Sequence, residues 1–160
     1  MAKYSVIIPA HNEASVISRC LSALFSDLAS SEIEVLVVAN GCSDDTVAIA
    51  SKFEGVKVID LETPSKVAAL NEGDLHVGGD YIAYVDADVE LTGRDLLCTI
   101  RALEENPSLM VVSPKPRFDL SGSNVWVRAF YAIWEKLPYF ADLRMVGSGV
   151  FVLSRTARSM

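Results

Sequence analysis

Short runs of mainly apolar residues, separated by stretches with helical spacing, constrain the fold of this chain more than any other feature. A β-strand that is covered on both faces needs a continuous apolar run rather than an alternating one. Such runs occur at residues 5–9, 33–39, 56–59, 81–85, 109–112 and 150–153. The sequence therefore predicts a buried strand at each of these places.

Helices are predicted between these runs, because apolar residues recur there at three- and four-residue intervals. The clearest stripe contains Ile17, Cys20, Leu21 and Leu24. A capping box at residues 92–95 marks the start of another helix. Strands that alternate with helices predict an α/β fold with a mainly parallel sheet and helices on both faces. We expect one such domain over residues 1–160.

Composition and charge narrow the class of protein. The chain has 160 residues, is 51% hydrophobic and carries a net charge of −7. This balance excludes nucleic acid as a partner, because no basic stripe is present. No apolar run approaches the roughly 20 residues of a membrane helix, and no signal-peptide pattern precedes the first strand. The three cysteines are expected to be reduced, so the predicted location is the cytoplasm, with the inner face of the membrane as an alternative.

Polar residues follow several of the predicted strands at the point where each strand ends. These are residues 11–13, residues 40–45, and Asp86 and Asp88 on either side of Ala87. Because parallel βαβ connections place the carboxyl ends of strands at one edge of a sheet, these loops should converge there. Two carboxylates at that edge suit Mg²⁺ or Mn²⁺. We hypothesise that Asp86 and Asp88 hold a metal ion that holds a diphosphate.

The same positions resemble, in order along the chain, the motifs of family 2 glycosyltransferases with the GT-A fold, a Rossmann-like nucleotide-binding architecture. The matching stretches are residues 5–13 (SVIIPAHNE), 37–46 (VVANGCSDDT), Lys66 with 69–73 (ALNEG), 86–88 (DAD) and 147–155 (GSGVFVLSR). Each motif alone is weak, but their order and their placement at predicted strand ends make a chance match a poor explanation.

The resemblance implies roles for individual residues. The nucleoside pocket would be lined by Pro9, Ala10 and Glu13, with Asn40 beside the base. Lys66 would lie near the phosphates or the base. The segment Asp86-Ala87-Asp88 would contact the donor, with Asp88 as the more direct metal ligand and Asp86 beside it. The sugar and acceptor side would be bordered by Gly147, Ser148 and Gly149. Plainer interpretations remain for two of these residues, since Glu13 and Lys66 could simply be charges near the start of a helix.

Two features depart from the family pattern. The family usually has an aspartate where Asn40 stands, so the identity of the nucleoside stays open. The family also places a catalytic carboxylate downstream of the segment at 147–155, but only five residues follow Arg155 and none is acidic. Glu135 and Asp142 lie too early to match. We therefore expect a fragment that binds the donor and transfers sugar poorly.

The implied reaction is the inverting, metal-dependent transfer of a sugar from a UDP- or GDP-linked donor to a carbohydrate, lipid or other hydroxyl acceptor, as in cell-envelope polysaccharide synthesis. A Mg²⁺-dependent phosphotransferase with Asp86 as nucleophile is one alternative, and a non-catalytic nucleotide-binding module is another. The apolar helix predicted over residues 125–137 is expected to be core or to be covered by a further segment. Peripheral membrane contact is a lesser alternative for it.

Overall fold

Six strands form a single mixed sheet in the order β3-β2-β1-β4-β6-β5. The computed structural model describes residues 3–27, 33–134, 136 and 149–158. Within these ranges the strands are β1 Tyr4–Ala10, β2 Ile33–Asn40, β3 Val56–Leu61, β4 Tyr81–Val85, β5 Val111–Val112 and β6 Val150–Ser154. Strands β1 to β4 pair in parallel, as the apolar runs and their intervening helices predict.

Helices cover both faces of the sheet. They are α1 Ile17–Leu24, α2 Thr46–Ala50, α3 Lys66–His76, α4 Gly93–Glu105, α5 Val125–Trp134 and α6 Arg155–Arg158. Buried residues of α1, α2 and α4 share one core cluster, whereas Ala69 of α3 belongs to a second cluster with Ile7 and Leu36. The predicted capping residue is confirmed, since Thr92 Oγ1 accepts a hydrogen bond from the Asp95 N–H at 3.1 Å. The α/β prediction with helices on both faces is confirmed.

The direction of β6 was not predicted from the sequence. This strand runs antiparallel to β4, with Val85 opposite Val150. The amino-terminal end of β6 therefore lies beside the carboxyl-terminal end of β4. A parallel β6 would have placed these two ends at opposite edges of the sheet. The antiparallel pairing brings the glycine before β6 to the edge where the aspartates lie.

Helix α5 is not part of the core, so the interpretation of this segment as core is wrong. None of its residues is buried, and Trp126 is 80% exposed. The rings of Phe130, Tyr131 and Trp134 instead pack on one another and on the preceding loop, with the rings of Phe118 and Tyr131 4.8 Å apart. Leu137, the predicted end of this helix, lies outside the described residues. Across the described residues, no helix has the length and apolar character needed to cross a membrane.

Candidate functional site

The residue that follows β4, Asp86, is the meeting point of three distant parts of the chain. Its Oδ1 accepts a hydrogen bond from Lys66 Nζ, at the start of α3, at 2.5 Å. Its main-chain N–H donates to the Gly149 carbonyl, just before β6, at 2.7 Å. The Lys66 side chain is 57% exposed and that of Asp86 is 36% exposed, so both can be reached from solvent. The structure thus joins three positions that the sequence analysis singled out separately.

Gly149 needs to be glycine for two reasons. Its φ angle is +78°, a backbone conformation that side chains disfavour. A Cβ atom here would also lie 2.7 Å from Val89 Cγ2 and 3.6 Å from Asp86 Oδ2. A side chain at this position would therefore have a strained backbone and would push the Val89 side chain away. Gly147 and Ser148 lie outside the described residues.

The loops after β1 and β2 are hydrogen-bonded to each other. The Glu13 N–H donates to Thr46 Oγ1 at 2.8 Å, and the Ala14 N–H donates to Asp44 Oδ2 at 3.0 Å. Asn12, with a φ angle of +56°, accepts from the Ser43 N–H at 2.8 Å. The hydroxyl of Thr46 holds the pKa of Asp44 below its usual range. These loops form one unit, in which Asp44 organises main-chain groups.

Pro9 and Ala10 end β1 directly before this loop unit, and Asn40 ends β2 beside them. The Asn40 side chain is buried, with 4% exposed. In the amide orientation that satisfies both of its polar atoms, Nδ2 donates to the Ala10 carbonyl at 2.7 Å and Oδ1 accepts from the Ser65 N–H at 3.3 Å. An aspartate could not donate to the Ala10 carbonyl. This bridge gives a structural reason for an amide where a carboxylate was expected.

Carboxylates crowd the same edge of the sheet. Burial and the charges of Asp88, Asp44 and Asp86 raise the pKa of Glu13. Burial, followed by the charges of Asp88, Glu90 and Asp86, raises the pKa of the Cys20 thiol to about 12. Cys20 is therefore a protonated thiol, and its Sγ lies 3.9 Å from the Asp86 carbonyl. The negative field of this edge favours a bound cation.

The donor set at this edge suits a cation that is only partly held by protein. Among the residues that the structure describes, no three His, Cys, Asp or Glu side chains are grouped so as to hold a metal ion. Asp88 is exposed, and Asp86 is half-buried and paired with Lys66. Mg²⁺ and similar ions are often bound by one or two carboxylates together with substrate phosphates and water. The residues present therefore fit a metal ion that a diphosphate would help to hold.

A cavity of about 950 Å³ opens on one side of this aspartate pair. Its wall includes Gly149, both aspartates, and residues 114–120 of the loop after β5, whose Lys115 and Arg117 bring positive charge and whose Phe118 lies close to Tyr131. Neither Phe118 nor Tyr131 was assigned to a site from the sequence. The only feature of the sequence that pointed to these residues was the position of their loop after a predicted strand. That position does not specify the surface on which the loop packs.

Comparison with known proteins identifies the family. Residues 5–160 match the sequence profile described as Glycosyl transferase family 2, and the chain belongs to this family. The poly-beta-1,6-N-acetyl-D-glucosamine synthase of Staphylococcus epidermidis is 31% identical over 117 residues, which is 71% of this chain and 28% of the synthase. The chain thus spans less than a third of that relative.

Solved structures show the same fold. Staphylococcus aureus TarS in complex with UDP-GlcNAc is 29% identical, with a TM-score of 0.55 over 64% of this chain and 31% of that one. Mannosyltransferase PcManGT from Pyrobaculum calidifontis, in complex with GDP-Man and Mn²⁺, is 23% identical, with a TM-score of 0.72 over 96% of this chain and 45% of that one. The mixed sheet with flanking helices is the GT-A fold.

Proposed function

We propose that this chain is the donor-binding part of a metal-dependent, inverting glycosyltransferase, within a single GT-A domain over residues 1–160. The observation that carries the proposal is the arrangement around Asp86, which has Lys66 Nζ at 2.5 Å and the Gly149 carbonyl at 2.7 Å from its polar atoms. These groups lie at the carboxyl edge of parallel strands, where ligands bind in such sheets. The Lys66 ammonium group suits a phosphate, the Asp86 and Asp88 carboxylates suit a metal ion, and the Gly149 backbone allows a sugar to approach closely. Family membership favours this reaction over phosphotransfer.

The donor would lie along the carboxyl edge of β1, β2 and β4. We place the nucleoside against Pro9, Ala10 and Glu13, and we place Asn40 as a residue that shapes the base pocket, because its amide is already bonded to main-chain groups. Lys66 would exchange Asp86 for phosphate oxygens when the nucleotide binds. TarS with UDP-GlcNAc and PcManGT with GDP-Man support a UDP- or GDP-linked donor.

A divalent metal would be held by Asp88, with Asp86 beside it. PcManGT in complex with Mn²⁺ and the acidic edge described above support this assignment. A bound metal would neutralise the charge that develops on the departing diphosphate. Lys66 would add a second positive charge at the same place. Ala87, buried between the two aspartates, would fix their separation.

The acceptor would enter through the cavity of about 950 Å³ next to Gly149. We propose a carbohydrate, lipid or other hydroxyl compound, since the reaction needs only a nucleophilic hydroxyl group. No carboxylate among the described residues is assigned as the base that would remove its proton. The proposed behaviour of this chain by itself is donor binding with weak or absent transfer.

Calorimetric titration with UDP and GDP, with and without Mn²⁺, tests the proposal. We expect Mn²⁺ to tighten binding of one nucleotide at least tenfold and Asp88→Ala to remove that gain, because the metal would lose its most direct protein ligand. Asp80→Ala is the matched control, since it removes an exposed aspartate at the opposite end of β4. Equal nucleotide affinity in wild type and Asp88→Ala, each with Mn²⁺ present, would refute the metal assignment.

A further inference from the structure

A second polar cluster lies on the α3 face of the sheet, away from the nucleotide edge. It joins Asp74 and Asn71 of α3, Tyr84 of β4 and Arg158 of α6. Tyr84 Oη donates to Asp74 Oδ1 at 2.5 Å, and Arg158 Nε donates to Asp74 Oδ2 at 2.6 Å and to Tyr84 Oη at 3.1 Å. Arg158 Nη2 also donates to Asn71 Oδ1 at 3.1 Å. One guanidinium group thus links a helix, the central strand and the chain segment after β6.

This cluster matters because α3 has little apolar surface to hold it. Only Ala69 and Gly73 of this helix are buried, and Leu70 packs against the same core cluster while half-buried. Val67 and Leu75 are largely exposed. Small residues let the helix approach the sheet closely, but they bury little apolar area, and stabilisation follows that area. The polar contacts of the cluster therefore add to a small apolar contact in fixing the position of α3 on the sheet.

The chemistry of the cluster suits a fixed attachment. Asp74 is mostly buried, whereas the Arg158 side chain is 39% exposed, so solvent partly screens their pairing. Hydrogen bonds between a charged donor and a charged acceptor are nevertheless stronger than neutral ones. Burial and the neighbouring Asp74 carboxylate raise the pKa of Tyr84, so its hydroxyl remains a donor. Only arginine offers several fixed donors that can reach three acceptors at once, whereas lysine is a single point charge.

Both halves of the Lys66–Asp86 pair are attached to this cluster. Lys66 is the first residue of α3, the helix that carries Asn71 and Asp74. Asp86 follows Tyr84 by two residues along the same chain segment, and the Tyr84 ring is further fixed by stacking on Phe151 at 4.7 Å. A shift of α3 along the sheet would move Lys66 away from Asp86.

We propose that Arg158 is a positioning residue that holds α3, and with it Lys66, against the strand that leads to Asp86. Its effect on nucleotide binding rests on the function proposed above. Its effect on the helix does not, because the contacts that fix α3 are made between residues of this chain.

The nucleotide test is a double-mutant cycle between Arg158 and Lys66, which do not contact each other. We expect Arg158→Ala to weaken binding of the preferred nucleotide with Mn²⁺ about tenfold, and to have little effect when Lys66→Ala is already present. Arg158→Lys should recover part of the affinity through Asp74. Arg94→Ala, which removes an exposed arginine of α4 that pairs with Asp27, is the control and should leave affinity unchanged. Independent, multiplicative effects of the two substitutions would overturn the proposal.

Hydrogen exchange of the α3 amides separates this proposal from the proposed function. Arg158→Ala should speed exchange across residues 69–76 at least tenfold relative to Arg94→Ala, while exchange in α1 stays the same. Unchanged exchange in α3 would overturn the positioning role even if nucleotide binds. If the wild-type chain binds neither UDP nor GDP with Mn²⁺, the proposed function fails, and faster exchange in α3 would still support the role of Arg158 in placing this helix.

Discussion

The sheet has a parallel part, formed by β1 to β4, and an antiparallel part, formed by β5 and β6. The two parts differ in how completely they are buried. Strands β1 and β2 of the parallel part are almost entirely buried, and the loops that follow them are hydrogen-bonded to each other. The part formed by β5, α5 and β6 contains a two-residue strand and a helix without a buried residue. Asp86 and Gly149 lie where the two parts meet.

This difference implies that one part of the molecule determines its stability and the other forms the candidate acceptor side. The parallel part contains most of the core, to which Val150 and Val152 of β6 add, and the proposed nucleoside contacts. It should therefore largely determine whether the chain folds and binds donor. The other part contributes the cavity wall around Phe118 and Tyr131. Several apolar residues of α5 near this wall, such as Phe130, are exposed. Substitutions of similar chemistry should therefore have unequal effects in the two parts.

The largest expected difference concerns apolar truncation. Leu21 of α1 is fully buried, and Leu21→Ala should lower the free energy of unfolding by about 2–5 kcal/mol through lost burial and a residual cavity. Ile133 of α5 is 68% exposed, and Ile133→Ala should change the free energy of unfolding by no more than about 0.5 kcal/mol. Urea denaturation measures both values. Similar losses at the two positions would mean that α5 is part of the cooperative core.

A smaller difference is expected for added methyl groups at glycine. A Cβ at Gly73 of α3 would lie 2.7 Å from Cγ2 of the buried Ile7, whereas a Cβ at Gly122 would meet no atom within 4 Å. Gly73→Ala should therefore cost about 1–3 kcal/mol through overpacking, and Gly122→Ala should be near neutral. Thermal unfolding of the two variants gives the comparison. A stabilised Gly73→Ala chain would show that α3 can move outward without loss.

The smallest expected effect is electrostatic and depends on pH. The raised pKa of Glu13 means that the folded chain holds this proton more tightly than the unfolded chain does. The resulting stability is present below the ordinary pKa of 4.5 and is lost as pH rises through the raised value. Glu13→Gln should therefore stabilise the ligand-free chain at pH 7, by on the order of 0.5 kcal/mol, and not at pH 4.

Unfolding curves at the two pH values measure this effect. Glu105→Gln, which removes a carboxylate at the exposed end of α4, is the matched control. Addition of Mn²⁺ should reduce the advantage of Glu13→Gln, because a cation at Asp88 offsets the repulsion. A lower stability of Glu13→Gln at pH 7 would mean that the carboxylate makes a favourable contact in the folded chain.

Much of the architecture was predictable from local patterns. Continuous apolar runs identified the strands, and the helical stripe of Ile17, Cys20, Leu21 and Leu24 identified a face that is buried in the structure. The aspartates after β4 could be placed at the sheet edge because parallel strands end there. The boundaries were less accurate for β5, predicted as residues 109–112 and observed as Val111–Val112, since a short edge strand has few partners to extend it.

The sequence by itself determined which segments are buried and which strand ends carry polar groups, because hydrophobic periodicity reports local burial. Only the tertiary structure decided that β6 runs antiparallel, that Lys66 contacts Asp86, that Arg158 reaches α3 and β4, and that α5 stays exposed. An apolar run is the same in either direction, so it cannot specify the direction of a strand. Contacts between residues 20 or 84 positions apart depend on packing that no local pattern contains.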